Sequence, residues 1–158
     1  MPELVRIIGC DRWMTRRENT LAHEAARCNN PELIQALKAS NFPIDTPNSK
    51  HLYPLHWAAF YGSERALKAL LVCGHNVDCA DGRGMTPLHV AIKRRFIAGV
   101  RVLLEHGANP MACINGATTC RDTLESMNIY QEFDYLEIKE LLDEYQNNSF
   151  FSQVLILA

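Results

Sequence analysis

The chain has 158 residues with 16 basic and 18 acidic side chains, a formal net charge of −2, and 47% of its residues are hydrophobic. This composition predicts one domain with a continuous core, and it disfavours nucleic acid as a partner because basic residues are not in excess. No stretch approaches the roughly 20 apolar residues of a membrane span, and six irregularly spaced cysteines without a secretory signal predict free thiols in the cytoplasm or nucleus.

Residues 1–13 are predicted to form an N-terminal capping helix. Residues 2–5, Pro-Glu-Leu-Val, echo residues 31–34, Pro-Glu-Leu-Ile, which open a predicted helix further along the chain. Terminal units of stacked arrays are often atypical, so we interpret this segment as the remainder of a half-unit.

A motif then recurs every 33 residues, starting at Thr20, Tyr53, Thr86 and Thr119. In the first three copies a histidine follows three residues later. A fixed period of this size indicates a stacked array of small units, with boundaries near residues 14–46, 47–79, 80–112 and a degenerate 113–146. Such arrays usually present a surface, so binding is expected rather than catalysis.

Each unit is predicted to hold two helices. Thr86 can cap the first helix of the third unit, and Pro87 suits its first turn. Gly74 and Gly107 suit the left-handed position that ends a helix. The second helices are expected over residues 32–38, 64–72 and 97–105.

A projecting hairpin is predicted between units. Residues 81–84, Asp-Gly-Arg-Gly, are typical of such a turn. Asn48 and His51 stand one period earlier, where the turn residues Asp81 and Gly84 would be expected. The sequence therefore predicts an irregular hairpin around Asn48.

The last unit departs furthest from the pattern. It has Asp122 at the histidine position and extra residues at 127–134, which indicates a degenerate C-terminal cap. The apolar tail, residues 147–158, is expected to fold back over that cap or be disordered, or else to bind a partner. Residues 1–121 carry a net charge of +5 and residues 122–158 carry −7. This asymmetry is interpreted as a solubilising acidic cap or as a device that steers a partner.

The segment Thr86-Pro87-Leu88-His89 resembles the signature tetrapeptide of the ankyrin repeat family, and residues 53–56 are a near copy. The resemblance covers roughly residues 14–146. It implies an all-α fold, an ankyrin-repeat solenoid of helix–turn–helix units with hairpin loops. It also implies non-enzymatic protein recognition, since the family mostly binds proteins on the concave surface formed by hairpin tips and first helices.

The positions that would line this surface define the predicted partner-binding site. Its centre is aromatic, with Trp57, Phe60 and Tyr61 in the second repeat. Interface anchors are enriched in such residues within a charged rim, so we predict a groove for an acidic segment bearing large apolar residues. The alternative is that Trp57 and Phe60 pack between units and only Tyr61 is exposed. The predicted set is Arg16, Arg17, Arg27, Lys50, Leu52, Trp57, Phe60, Tyr61, Arg83, Met85, Lys93 and Arg94.

The recurring histidines are predicted to be structural. Stacking places His23, His56 and His89 roughly 8–10 Å apart. They cannot share one zinc ion, because its ligands must all lie about 2 Å from it. We expect buried imidazoles that tie the backbone of one unit to the next. The full set of predicted structural residues is His23, His56, His89, Thr86, Pro87, Gly74 and Gly107.

No metal, cofactor or catalytic grouping is expected. Cys73, His75 and Cys79 lack a paired-cysteine spacing and a fourth ligand. Cys113 and Cys120 flank a loop, but only Arg121 stands near enough in sequence to lower a thiol pKa.

The sequence therefore predicts a monomeric adaptor or scaffold. Two alternatives lie within binding: a substrate-recognition subunit of a ubiquitin ligase (or a shortened form of one), or an inhibitor of a signalling enzyme. Ligase receptors of this family carry an additional C-terminal box, which is not expected here because only the short tail follows residue 146. An alternative from another class is a metal- or redox-sensing protein that uses the cysteines.

Overall fold

The computed structural model of the chain describes residues 19–127 and 133–156, with side-chain surroundings given through residue 147. Within these ranges the fold consists of four successive helix pairs, with a two-residue strand pair before the last of them. The predicted all-α class of repeated helix–turn–helix units is confirmed. The predicted capping helix at 1–13 lies outside the described residues. Contacts divide the chain into two compact units, each larger than one 33-residue repeat. From here on, unit one is residues 1–76, unit two is residues 77–158, and a single 33-residue element is called a repeat.

Unit one contains the first two helix pairs. Its helices are α1 (Leu21–Arg27), α2 (Pro31–Ala39), α3 (Pro54–Tyr61) and α4 (Glu64–Val72). Helix α1 packs against α3, and α2 packs against α4, so that the two pairs stack. The helices can approach closely because many of their buried side chains are small. The alanines without any exposed surface are Ala22, Ala25, Ala26, Ala58, Ala59 and Ala66.

Unit two contains the third and fourth helix pairs. Its elements are α5 (Pro87–Lys93), α6 (Ile97–Glu105), β1 (Cys113–Ile114), β2 (Thr118–Thr119), α7 (Cys120–Glu125) and α8 (Phe133–Ile156). Helix α5 packs against α6 and α7, and α6 packs against α8. The two strands are antiparallel, and the turn between them carries Asn115 and Gly116, both with positive φ, as tight hairpins require.

The helix boundaries lie where the sequence signals place them. The second helices of the first three repeats are observed at Pro31–Ala39, Glu64–Val72 and Ile97–Glu105. Gly74 and Gly107 follow two of them with φ of +88° and +83°, the left-handed conformation that glycine adopts without steric cost. No helix within the described ranges has the length and apolarity that crossing a membrane requires.

Helix α8 is longer than the sequence pattern indicates. Its backbone continues to Ile156, so residues 147–156 of the apolar tail are helical. The side chains from residue 148 onward lie outside the described surroundings. The expectations that the tail covers the cap or binds a partner therefore stay predictions.

The hairpin before α3 is regular, and its key residue is Asn48. The Oδ1 atom of Asn48 accepts hydrogen bonds from the backbone N–H groups of Lys50 and Leu52, at 3.0 Å each. One period later, Asp81 Oδ1 accepts from the N–H groups two and four residues ahead, at 2.9 and 2.8 Å. An asparagine amide and an aspartate carboxylate both supply this acceptor.

The left-handed position of the turn is also kept. His51 has φ of 58°, and Gly84, one period later, has φ of 82°. The N–H of His51 donates to the carbonyl of Asn48 at 2.9 Å, and Gly84 makes the equivalent bond to Asp81 at 2.9 Å. The prediction of an irregular hairpin is therefore wrong, because the turn tolerates histidine at a position that favours glycine.

Replacing His51 by glycine is expected to stabilise the protein by roughly 0.5–1 kcal/mol. A left-handed L-residue costs about 1–2 kcal/mol, and the added freedom of glycine in the unfolded chain offsets part of the gain. His51 is exposed, so its side chain contributes little packing. The free energy of unfolding from urea titration measures the change.

Gly84→Ala provides the converse control. A Cβ there would lie 3.2 Å from the backbone nitrogen of Asn115 and 3.3 Å from the carbonyl oxygen of Cys113 at a φ of +82°. This variant is expected to be less stable. A His51→Gly protein that unfolds at lower urea than the natural chain would contradict the assignment of strain to this turn.

Candidate functional site

Three aromatic side chains of α3 form a cluster on the second repeat. The ring centres of Trp57 and Tyr61 are 5.5 Å apart, and those of Phe60 and Tyr61 are 5.2 Å apart in a T-shaped arrangement. These residues are spaced three and four apart, so they share one face of the helix. Phe60 remains 45% exposed and Tyr61 48% exposed. We call Trp57, Phe60 and Tyr61 the aromatic patch.

Trp57 is anchored at the base of the patch. It is half-buried, and its ring meets the imidazole of His23 edge-on, with centres 5.7 Å apart and planes at 81°. The alternative expectation was that Trp57 and Phe60 both pack between repeats. Trp57 does contact the first repeat, whereas Phe60 is exposed. The outcome is an aromatic surface whose inner ring is fixed by packing and whose outer rings face solvent.

The positive charge predicted around the patch is partly neutralised in unit one. Arg27 is exposed, but its Nε donates to Glu24 Oε2 at 2.7 Å within the same helix. This hydrogen bond to Glu24, with smaller contributions from charges that include Tyr61, raises the pKa of Arg27. Lys50 is exposed in the hairpin, and Leu52 is half-buried. Arg16 and Arg17 lie outside the described residues.

The predicted contact residues of unit two are mostly exposed. Arg83 projects from its hairpin with Nε 3.9 Å from the carboxylate of Asp81, and Met85 is half-buried. Lys93 ends α5 and Arg94 follows it, both exposed.

The recurring histidines lie at the start of each first helix and are buried. His23 Nδ1 accepts from the backbone N–H of Thr20 at 3.1 Å and lies 2.9 Å from its hydroxyl oxygen. His23 Nε2 lies 2.8 Å from the carbonyl oxygen of Leu52 in the next repeat. Nδ1 therefore acts as acceptor, and the neutral ring carries its proton on Nε2, from which it donates to Leu52.

The same capping bond recurs in the next two repeats. His56 Nδ1 accepts from the N–H of Tyr53 at 3.2 Å, and His89 Nδ1 accepts from the N–H of Thr86 at 3.3 Å. The Nε2 atom of His89 is buried and makes no hydrogen bond of good geometry, although backbone groups of Thr118 and Ala112 lie near the ring. The histidine thus takes the place of the glutamate in a capping box.

Burial lowers the pKa of both His23 and His89, because the charged imidazolium would lose its hydration. For His23 the bond to Leu52 and the charge of Glu24 act in the opposite direction, and His75 adds a small lowering. The bonded state is therefore the neutral ring.

Sequence reasoning missed His75 as a structural residue. Its ring is buried, with Nε2 3.2 Å from the carbonyl oxygen of Ile44 and Nδ1 3.0 Å from Asp45 Oδ1. Burial lowers its pKa despite the neighbouring carboxylate. The sequence did contain one indication that this position is buried. The equivalent positions in the adjacent repeats carry the apolar residues Phe42 and Ala108.

The cysteines are isolated thiols in the described part of the chain. The five that it contains are free, and no group of three metal-ligating side chains occurs there. Burial, with smaller effects of Asp78 and Cys113, raises the pKa of the Cys120 thiol to about 12. Arg121 pairs with Asp143. Cys120 therefore stays protonated and unreactive at neutral pH.

Comparison with known proteins gives one family. Residues 3–81 and 22–114 match the family described as ankyrin repeats (3 copies). Rabankyrin-5 of Homo sapiens is 37% identical over 117 residues, which covers 60% of this chain and 10% of that protein. The B-cell lymphoma 3 protein homolog of Mus musculus is 30% identical over 118 residues, covering 69% of this chain and 26% of that protein.

A third relative is the transient receptor potential cation channel subfamily A member 1 of Homo sapiens. It is 34% identical over 107 residues, covering 63% of this chain and 9% of the channel subunit. The chain thus matches between about a tenth and a quarter of the length of these relatives.

His23→Ala is expected to lower the free energy of unfolding by roughly 1–3 kcal/mol, because it leaves the carbonyl of Leu52 and the N–H of Thr20 without their partner. Urea unfolding followed by circular dichroism measures the change. Lys50→Ala, an exposed substitution in the adjoining hairpin, serves as control and should shift stability by less than about 0.5 kcal/mol. Equal midpoints for both variants would show that the imidazole link is not structural.

Stability is expected to fall as the pH drops from about 7.5 to 5.5. Unfolded histidines titrate near their ordinary pKa of about 6.5, whereas His23, His75 and His89 bind protons only at lower pH in the folded protein. The unfolded state therefore binds more protons below about pH 6.5, and protonation favours unfolding. Thermal melting across this range tests the sign, and His23→Gln should reduce the slope. A melting temperature that rises on acidification contradicts the analysis.

Proposed function

The chain belongs to the ankyrin repeat family, and from this we propose that it is an adaptor or scaffold that binds a partner protein on a groove centred on its second repeat. Ankyrin repeats in general are protein–protein interaction modules without catalytic activity. The observation that carries the finer proposal is the aromatic patch, three large rings on one face of α3 with two of them half-exposed.

The patch is specific to the second repeat. The positions equivalent to Phe60 and Tyr61 in the first repeat are Arg27 and Cys28. Two adjacent half-exposed rings keep apolar surface in water, and such surfaces commonly mark interaction sites. Aromatic anchors also provide much of the binding free energy in protein interfaces.

The patch is held in place before any partner arrives. Helix α3 is packed by α1 and α4 within unit one, and Trp57 rests against His23. Binding would therefore order few side chains, which lowers the entropic cost of association. A rigid aromatic surface favours a partner that inserts one or two large apolar side chains.

We propose that this partner segment is acidic. Arg27 is exposed on α1, which packs against α3, and a ligand carboxylate could replace its present partner Glu24, a neighbour on the same helix. Lys50, exposed in the hairpin of the same unit, supplies further positive charge. Such pairs would add modest affinity and marked salt dependence.

We also place the protein inside the cell, in the cytoplasm or nucleus. The five free cysteines of the described part support this proposal, since reducing compartments keep thiols unpaired.

The experiment that tests the proposal compares partners captured by the natural chain and by Phe60→Ala with Tyr61→Ala. Both side chains are about half-exposed, so the variant should fold normally. In the capture experiment, this variant is expected to lose the main partner. With the purified partner, its binding free energy should be weaker by about 2 kcal/mol or more. Calorimetry measures the affinity, and added salt should weaken the natural complex.

Val72→Ala is the matched control, because Val72 is an apolar residue 80% exposed at the end of α4 in the same unit. It should retain the partner. A partner list and affinity that do not change in the Phe60 and Tyr61 variant would sink the proposed groove while leaving the family assignment untouched.

A further inference from the structure

We propose that unit two carries a second protein-binding surface, which takes a basic segment bearing a large apolar residue. The surface is an open groove of about 440 Å³ where α8 meets Arg101 of α6. We call it the acidic groove. It goes beyond the aromatic patch, which belongs to unit one and would select a partner of the opposite charge.

The apolar part of the acidic groove lies at the start of α8. Phe133 is 77% exposed and Leu136 is 50% exposed, while Leu141 is buried beneath them. Phe133 and Leu136 are three residues apart and therefore neighbours on one helix face. Two large apolar side chains at such exposure, side by side in a concave site, offer a seat for one or two apolar side chains of a ligand.

The polar part continues along the same face of α8. Glu137, Glu140 and Glu144 follow at spacings of three and four, so their carboxylates are neighbours that repel one another. Glu137 is compensated by Arg101 at 3.2 Å. Among the described residues, no ion pair is recorded for Glu140 or Glu144, and both are exposed. A ligand with one or two cations would relieve this repulsion.

The geometry specifies the order of the ligand groups. With a rise of 1.5 Å per helical residue, Glu140 and Glu144 lie roughly 6 and 12 Å along the axis from Leu136. A matching segment carries its large apolar residue about 6–12 Å from a lysine or arginine. The net charge of −7 over residues 122–158 would draw such a segment towards this end of the chain.

The test is selection of 12-residue peptides from a random display library against the full chain, followed by affinity measurement for the enriched peptides. Enriched peptides are expected to combine Phe, Leu or Trp with Lys or Arg at this spacing. Their affinity should fall at least about fivefold with Glu140→Lys and about tenfold with Phe133→Ser. Glu105→Lys is the charge-matched control, since Glu105 is exposed on α6 and does not line the groove.

Two further measurements, peptide binding by the aromatic-patch variant and sedimentation, distinguish the acidic groove from the aromatic patch and from self-association. The Phe60→Ala, Tyr61→Ala variant should bind the enriched peptides normally, so failure of the aromatic patch and failure of the acidic groove are distinguishable. The proposal is overturned if no peptide is enriched, if enriched peptides lack basic residues, or if Glu105→Lys and Glu140→Lys weaken binding equally. It is also overturned if Glu140→Lys abolishes self-association in sedimentation, since the occupant would then be a second copy of the chain.

Discussion

A single imidazole links the first two repeats of unit one through two hydrogen bonds. His23 accepts the N–H of Thr20 at the start of its own helix and donates to the carbonyl of Leu52 in the next repeat. One buried ring therefore both closes a helix end and joins neighbouring repeats. Because each nitrogen has one role only in the neutral form, the link requires an uncharged ring, which burial enforces. In unit one, the stacking of the first two repeats and the protonation state of His23 are therefore one constraint.

That link also shapes the surface. The ring of His23 is the edge against which Trp57 packs, so the structural imidazole anchors the inner residue of the aromatic patch. The alanines of α1 and α3 are buried where these helices pack. Trp57 lies at the edge of that packing, whereas Phe60 and Tyr61 are about half-exposed.

The two candidate surfaces differ in charge. Exposed cations accompany the aromatic patch in unit one, whereas carboxylates surround Phe133 and Leu136 in unit two. Two partners of opposite charge could therefore be held by one chain without competing for a site. Two sites of opposite charge would suit the proposed adaptor role, and the uneven charge along the sequence accords with them.

The sequence by itself determined the local structure. Its period placed the helices and Gly74 marked a helix end, because capping, helix propensity and turn chemistry act over a few residues. The same local reasoning failed at Asn48 and His51, where a different residue supplies the same acceptor or the same left-handed backbone. Only the tertiary structure decided which aromatic rings stay exposed, that His75 is buried, and that Arg101 of α6 pairs with Glu137 of α8. Each of these depends on which surfaces of distant residues pack together, and a periodic pattern carries no record of that.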